Sequence, residues 1–419
     1  MDTLDHAGSR LGTFLDEIKR LKDSEFPYPH SSKALELLES LVKEKIARLK
    51  QIDPAATVNI IHQECALALS VIPKYLSILG FILRSTNVRN AFEIYGPILR
   101  LARQVLEPTV DPAQRKTKLL LSSEWRYSPF IFTEISDLKD FVLIGFPAHE
   151  SANPLLIPLA GHELGHRLWA RKQHQNSLKL PIVKWIQQYI QTNWSNHKNA
   201  FPWLTIPPGG IATNLLAYQT YYKAVEWALK QAEETYCDFV GLWLFGPSYL
   251  HAFSYLLSPS IGNVRALYYP NFKERAANLL TASSAYNIVT PPNYVERFEN
   301  LTIPKLPTSD SYQSDLADGT LSNFISDLIA LADSDLLAAS VKKPSPTEAL
   351  RILKRFELVV PPEKVISVAD LVNAGWDAYE SQSFWGADTD LKSRKASVLK
   401  ELILKGIEIF EIEEIVKEN

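Results

Sequence analysis

Cysteine and methionine are scarce in this chain: Cys65, Cys237 and a single methionine occur in 419 residues. Two cysteines cannot form a disulfide framework, and such low usage suits a reducing compartment. A dominant block of one charge is also missing. The 44 Lys and Arg nearly balance the 47 Asp and Glu, for a net charge of −3. That balance leaves no electrostatic footprint for nucleic acid or an anionic membrane surface. The opening "MDTLDHAGSRLGTFLDE" lacks a charged segment followed by an apolar one, so no secretory signal is expected. The nearest approach to a membrane span, "ALALSVIPKYLSILGFIL" at 66–83, carries Pro73 and Lys74 at its centre. A lysine at bilayer depth is costly, so two buried helices meeting at the proline are expected instead. A cytoplasmic location is expected, with no nucleic-acid or membrane partner.

Hydrophobic residues make up 46% and charged residues 22%, as in an ordinary folded protein. The length exceeds what one compact core usually reaches. Residues 1–115 read as a helical region. In "SSKALELLESLVKEKIARLK", Leu37, Leu38, Leu41, Val42, Lys45 and Leu49 fall at helical spacing, with Ser31 or Ser32 as N-cap, and "VRNAFEIYGPILRLARQVLEP" ends at Pro108. The texture changes near residue 117, where "KLLLSS", "SPFIFTEI" and "DFVLIGFPA" read as three strands. Asn153 can cap the next helix with Pro154 in its first turn, and Pro158 and Gly161 imply that the regular helix starts near Pro158. A polar insertion occupies 174–215, and a second apolar helix ends near Gly246-Pro247. Residues 286–312 are loop-like, and the remainder to 419 is mostly helical. The tail "KGIEIFEIEEIVKEN" fits a strand or a helix equally. The expected fold is α+β and mostly helical. A core at 116–285 with a small mixed sheet is flanked by helical regions at 1–115 and 286–419.

Within 116–285 stands "LAGHELGHRLWA", residues 159–170. On a helix His162 and His166 share one face and can aim two imidazole nitrogens at one point. Glu163 is rotated by about 100° and can lie beside that point without being a ligand. Leu155, Leu156, Ile157, Leu159, Leu164, Leu168 and Trp169 surround these polar residues. Burying His, Glu and His among them without a partner is costly, and a metal removes the cost. A catalytic zinc site takes three protein ligands and leaves one position for water, whose proton a glutamate can accept. The third ligand is sought in "QAEETYCDFVGLWLFG", where Glu234 and Asp238 share a face of another apolar helix. Glu234 can complete the set, and Asp238 can accept the free N–H of a ligand histidine. Glu233 is the runner-up ligand, but four residues on stands Cys237, read as a small buried residue. His149, His174 and His197 are read as histidines without a role at the site. Arg167, Arg171 and Lys172 read as a solvated helix end.

The pair His162-Glu163-x-x-His166 and Glu234-x-x-x-Asp238 resembles the zincin metallopeptidases of the gluzincin kind. By that resemblance His162, His166 and Glu234 bind zinc, Glu163 is the general base and Asp238 supports a histidine. The strand "DFVLIGFPA" would be the sheet edge that pairs with an extended substrate. The variant HExxHxxGxxH is excluded, because position 169 is Trp and position 172 is Lys. A peptidase also needs a donor for the oxyanion. Tyr269 is chosen for that role among His251, Tyr255, Tyr268 and Tyr269, with Arg265 and Arg275 as candidates for a substrate carbonyl or carboxylate. "YYPNFKER" resembles the His-Pro segment followed by arginine of some membrane-associated zincins, with Tyr where those have His.

The expected function is therefore a zinc-dependent peptidase acting on a peptide or protein substrate, with one Zn2+ per chain. The alternatives are a zinc-binding protein or non-peptide amide hydrolase, and a metal-free helical scaffold.

Overall fold

A computed structural model describes residues 3–85, 92–111, 114–124, 130–131, 137–150, 152–260, 264–386 and 388–418. It is a mostly helical α+β protein that divides into two compact units. The first comprises 1–99 and 116–152, the second 100–115 and 153–419.

In the first unit, α1 (Thr3–Lys22) and α2 (Pro29–Leu49) pack together. Ala7, Leu11, Phe14, Leu15, Ile18 and Leu21 line one side of α1, and Ala34, Leu35, Leu38 and Val42 answer from α2. Their three- and four-residue spacing is the amphipathic stripe that drives burial. The α2 helix begins earlier than its serines suggested. Pro29 occupies its first turn, and Ser31 lies inside it, hydrogen-bonded to Ser85 at 3.0 Å. The apolar stretch at 66–83 spans two helices, α3 (Val58–Leu69) and α4 (Val71–Arg84), which abut at Ser70. Pro73 falls in the first turn of α4, where its missing N–H costs nothing. By length and composition alone Val58–Arg84 could cross a membrane, and 39% of its most apolar window is buried. The α5 helix (Tyr95–Leu106), of which residues 95–99 belong to the first unit and 100–106 to the second, ends before Pro108, as expected.

The sheet belongs to this first unit. β1 (Lys118–Glu124) pairs in parallel with β3 (Phe141–Pro147) from Lys118↔Phe141 to Glu124↔Pro147. β2 (Phe130–Ile131) pairs antiparallel with β3, giving the order β1-β3-β2. The rest of "SPFIFTEI" lies outside the described residues. Every residue of β3 is buried, as parallel strands covered on both faces require. β3 is thus the central strand, and its place as a substrate-pairing edge is overturned. Residues 116–152 fall with 1–99 in the first unit, whereas the expected region ran 116–285.

In the second unit a short 3-10 turn, Pro154–Leu156, is capped by Asn153, whose side chain accepts from Leu155 N at 3.3 Å. Next come α6 (Leu159–Lys172), α7 (His174–Thr192), α8 (Trp194–Ala200), α9 (Leu215–Tyr218) and α10 (Tyr222–Phe245). The insertion is therefore largely helical. It turns back after Gln173, whose left-handed backbone (φ 55°) ends α6. The chain continues through α11 (Pro247–Leu257), α12 (Phe272–Tyr286), α13 (Thr308–Ser322), α14 (Ile325–Ala338), α15 (Pro346–Glu357), α16 (Val368–Glu380), α17 (Thr389–Ser393) and α18 (Lys395–Glu418). The ambiguous tail is the end of α18, a helix.

The contact that matters most joins α6 and α10. A Cβ added at Gly161 would lie 3.0 Å from Gly241 Cα, and one at Gly165 would lie 2.7 Å from Cys237 Cα. Positions 161 and 165 thus meet 241 and 237, so the chain direction reverses between the helices and the contact repeats every four residues on both. The glycines awkward for helix propensity are what allow this approach.

Replacing Gly165 with Ala is expected to destabilise the protein by about 1–3 kcal/mol through overpacking against Cys237. Gly319→Ala is expected to stabilise by about 0.5–1 kcal/mol, since nothing lies within 4 Å of its added Cβ and alanine is the better helix former. Denaturant melts of both variants test this, and equal effects would dismiss the close contact as the cause. A second expectation concerns acid. His197 is fully buried, and burial pulls its pKa down to about 4 from the ordinary 6.5. The folded state needs it neutral, so this contribution to stability is lost as pH falls from about 6.5 to about 4. His197→Gln is expected to flatten stability against pH in that window, read from denaturant midpoints.

Candidate metal centre

α6 presents His162, Glu163 and His166 towards Glu233, Glu234 and Asp238 of α10. His162 Nδ1 donates to Asp238 Oδ1 at 2.9 Å, and His166 Nδ1 donates to Glu233 Oε1 at 2.9 Å. A carboxylate only accepts, so both histidines carry a proton on Nδ1. Both Nε2 atoms then face Glu234, at 3.4 Å from Oε2 for His162 and 3.7 Å from Oε1 for His166. The rings stand nearly perpendicular, with centroids 5.0 Å apart. One ligand atom from each of His162, His166 and Glu234 lies within 4.8 Å of the other two. A tetrahedral zinc site with bonds of about 2.0–2.1 Å has ligand–ligand edges of about 3.4 Å. The N, N, O donor set and its spacing therefore fit a zinc ion after small side-chain movements.

Glu163 is 5% exposed. Burial pushes its carboxyl pKa up, while the charges of His162 and His166 oppose. Burial likewise disfavours charge on His162, but hydrogen bonds to Asp238 and Glu234 outweigh it and hold its pKa up at about 10. Burial would raise Glu234, yet the two histidines keep it below the usual carboxylate range. The cluster thus holds a proton between His162 and Glu234 where a metal would compete for the same lone pairs.

Asp238, 1% exposed, is enclosed. Besides His162 it accepts from Tyr249 Oη at 2.7 Å and from Arg275 through Nε and Nη2, each at 2.7 Å. Burial would raise its pKa, but Arg275 and then His162 hold it far below the ordinary value.

Several of the other expected residues are occupied elsewhere. Arg275 is bound to Asp238 rather than turned to a substrate, because a buried carboxylate needs the bidentate partner. Arg265 is also engaged: Nη1 donates to the Tyr269 carbonyl at 2.6 Å, and Nη2 pairs with Asp318. It braces the segment that carries Tyr269. The Tyr269 phenol is pushed up by burial and by the charge of Glu234, with a smaller push from Glu163, so this side chain shares the electrostatic surroundings of the cluster. His251 stacks on Trp376 at 5.5 Å, and Tyr255 meets the same ring edge-on at 5.8 Å. These contacts engage both with α16 packing. His174 donates to Asp335 at 2.6 Å, and His197 donates to the Thr220 hydroxyl at 3.0 Å. His149 belongs to the first unit. Cys237 is fully buried and faces Gly165, as its small-residue reading required.

Glu233 as the partner of His166, and Tyr249 and Arg275 as partners of Asp238, were not anticipated. For Glu233 a signal existed: one position before Glu234 points about 100° away on a helix, towards the second histidine rather than the shared point. "PSYLHAF" marks Tyr249 with nothing.

No family model matches the chain, and no curated protein or solved structure matches it either.

Metal content tests the site directly. About one zinc per chain is expected in untagged wild-type protein by elemental analysis, with a clear loss in Glu234→Ala. A wild type that takes up no zinc after refilling would reduce the cluster to a buried ionic network.

Proposed function

We propose that the chain is a zinc-dependent metallopeptidase of gluzincin type, acting on a peptide or protein substrate. The observation that carries this reading is the convergence of His162 Nε2, His166 Nε2 and a Glu234 carboxylate, with Glu163 buried beside them. A zinc ion held there supplies Lewis acidity, which lowers the pKa of a water molecule and polarises a carbonyl. The protein's own groups do the rest. Glu163 accepts the proton of the attacking water and returns it to the leaving amine. Asp238 and Glu233 fix the two imidazoles with Nε2 forward. Tyr269 donates to the developing oxyanion. The low cysteine usage suits action in the cytoplasm.

A second reading, a zinc protein or non-peptide amide hydrolase, draws support from the same contacts. Arg275, Arg265, His251 and Tyr255 are engaged elsewhere, so of the expected donors Tyr269 and its neighbour Tyr268 remain. A zinc-loaded protein that cleaves nothing in a broad peptide library would favour it.

Glu163→Gln is expected to keep its zinc and to lose about 10²–10⁴-fold in cleavage rate, the usual contribution of a general base. Product mass spectrometry on a peptide mixture measures it, and cleavage at the wild-type rate would reject the peptidase mechanism.

A further inference from the structure

The carboxylates behind the two histidines are not equivalent. Asp238 is shared among four hydrogen bonds, to His162, Tyr249 and twice to Arg275. Its negative charge is largely neutralised by a buried guanidinium, so it holds His162 mainly by geometry. Glu233 is arranged differently. One oxygen takes the Nδ1 proton of His166 at 2.9 Å, and among the described residues the other meets only Lys230, at 3.0 Å. The Lys230 side chain is 56% exposed while that of Glu233 is 14% exposed. An exposed ammonium is well screened by water and binds weakly. Most of the Glu233 charge therefore remains directed at the imidazole of His166, where it would favour a cation at Nε2.

We infer that Glu233 is a positioning residue that sets the metal affinity of this site through His166, by its charge as well as by its hydrogen bond. This rests on the metal-binding reading above. Its position derives from helix geometry. Taking 100° per residue, Glu234 points between Glu233 and Asp238 on α10, so a ligand carboxylate lies between two supporting ones. The two supports reach histidines one turn apart on α6. The bland alternative is that Glu233 serves only a surface ion pair with Lys230, three residues earlier.

Competition between the protein and a chromophoric zinc chelator separates the two, using wild type, Glu233→Gln, Glu233→Ala and Glu234→Ala. Glu233→Gln keeps an acceptor for His166 Nδ1 and removes the charge, whereas Glu233→Ala removes both. The expected zinc affinity falls about 10–100-fold in Glu233→Ala, the usual effect of losing such a partner, with Glu233→Gln between it and wild type. The cobalt(II) absorption of Glu233→Gln should keep the wild-type envelope, because the ligand set is unchanged. Wild-type affinity in both Glu233 variants would overturn the inference. A Glu233→Ala loss as complete as that of Glu234→Ala, with an altered cobalt spectrum in Glu233→Gln, would also overturn it by making Glu233 a ligand. A wild type that binds no zinc would instead defeat the underlying metal reading, so the two failures are distinguishable. If Glu233→Ala fails to fold, the Gln variant still decides, since loss of charge alone must weaken binding.

Discussion

The candidate site depends on how closely α6 approaches α10. Gly161 against Gly241 and Gly165 against Cys237 bring the two backbones close, with no side chain on α6 at either point. Bulkier residues there would push the helices apart. The same four-residue step that brings the small residues together repeats one position later on α6, where His162 faces Asp238 and His166 faces Glu234. Helix–helix packing and the polar constellation are therefore two faces of one antiparallel contact. Glycine is a poor helix former, losing up to about 1 kcal/mol per residue against alanine, and that cost is tolerated here because it fixes the distance between donors.

Electrostatics imposes the second constraint. Glu163, Glu233, Glu234 and Asp238 gather around two histidines in a largely apolar setting. Among the described residues one buried guanidinium, Arg275, is bound to them. Charges so removed from water require partners. Arg275 answers Asp238, and His162, held protonated by Asp238 and Glu234, answers Glu234. A divalent cation would answer them better, since it adds two charges at the point where the Nε2 atoms and Glu234 converge. Such an acidic excess would favour a metal, and its binding energy would be added to the α6–α10 contact.

How much of this was legible depends on the range of the signal. His162, Glu163 and His166 lie within one turn and a half, so their shared face is set by helical period alone. Glu234 and Asp238 stood out because acids are rare among Tyr236, Phe239, Val240 and Trp243. The α10 phase even separated Glu234 from Glu233. Residues that act through distant partners were opaque. Arg275 looked available to a substrate because its partner, Asp238, lies 37 residues earlier and on another helix. Tyr249 stood between Ser248 and Leu250 in a mostly apolar run, with no spacing to link it to Asp238. The sheet misled for a related reason: β1 to β3 precede α6 directly in sequence, yet their strands pack with the N-terminal helices. Proximity along the chain is weak evidence of shared packing, and the central position of β3 depends on pairing that alternation in one strand cannot reveal. Ser31 failed as a cap because Pro29 can begin a helix two residues sooner.

The enclosure of Asp238 limits how such a site can vary. An aspartate that satisfies a tyrosine, an arginine and a histidine together cannot change without stranding a buried guanidinium, which costs more than the bond to His162 is worth. Glu233 carries no such obligation, since its other partner among the described residues is an exposed lysine. Two carboxylates doing the same service to two adjacent histidines are therefore held by very different constraints. Substitution is more easily accommodated at Glu233, beside His166, while the His162 side is locked to the packing of α10, α11 and α12. The rigidity of one histidine and the adjustability of the other both arise from which neighbours each supporting acid must satisfy.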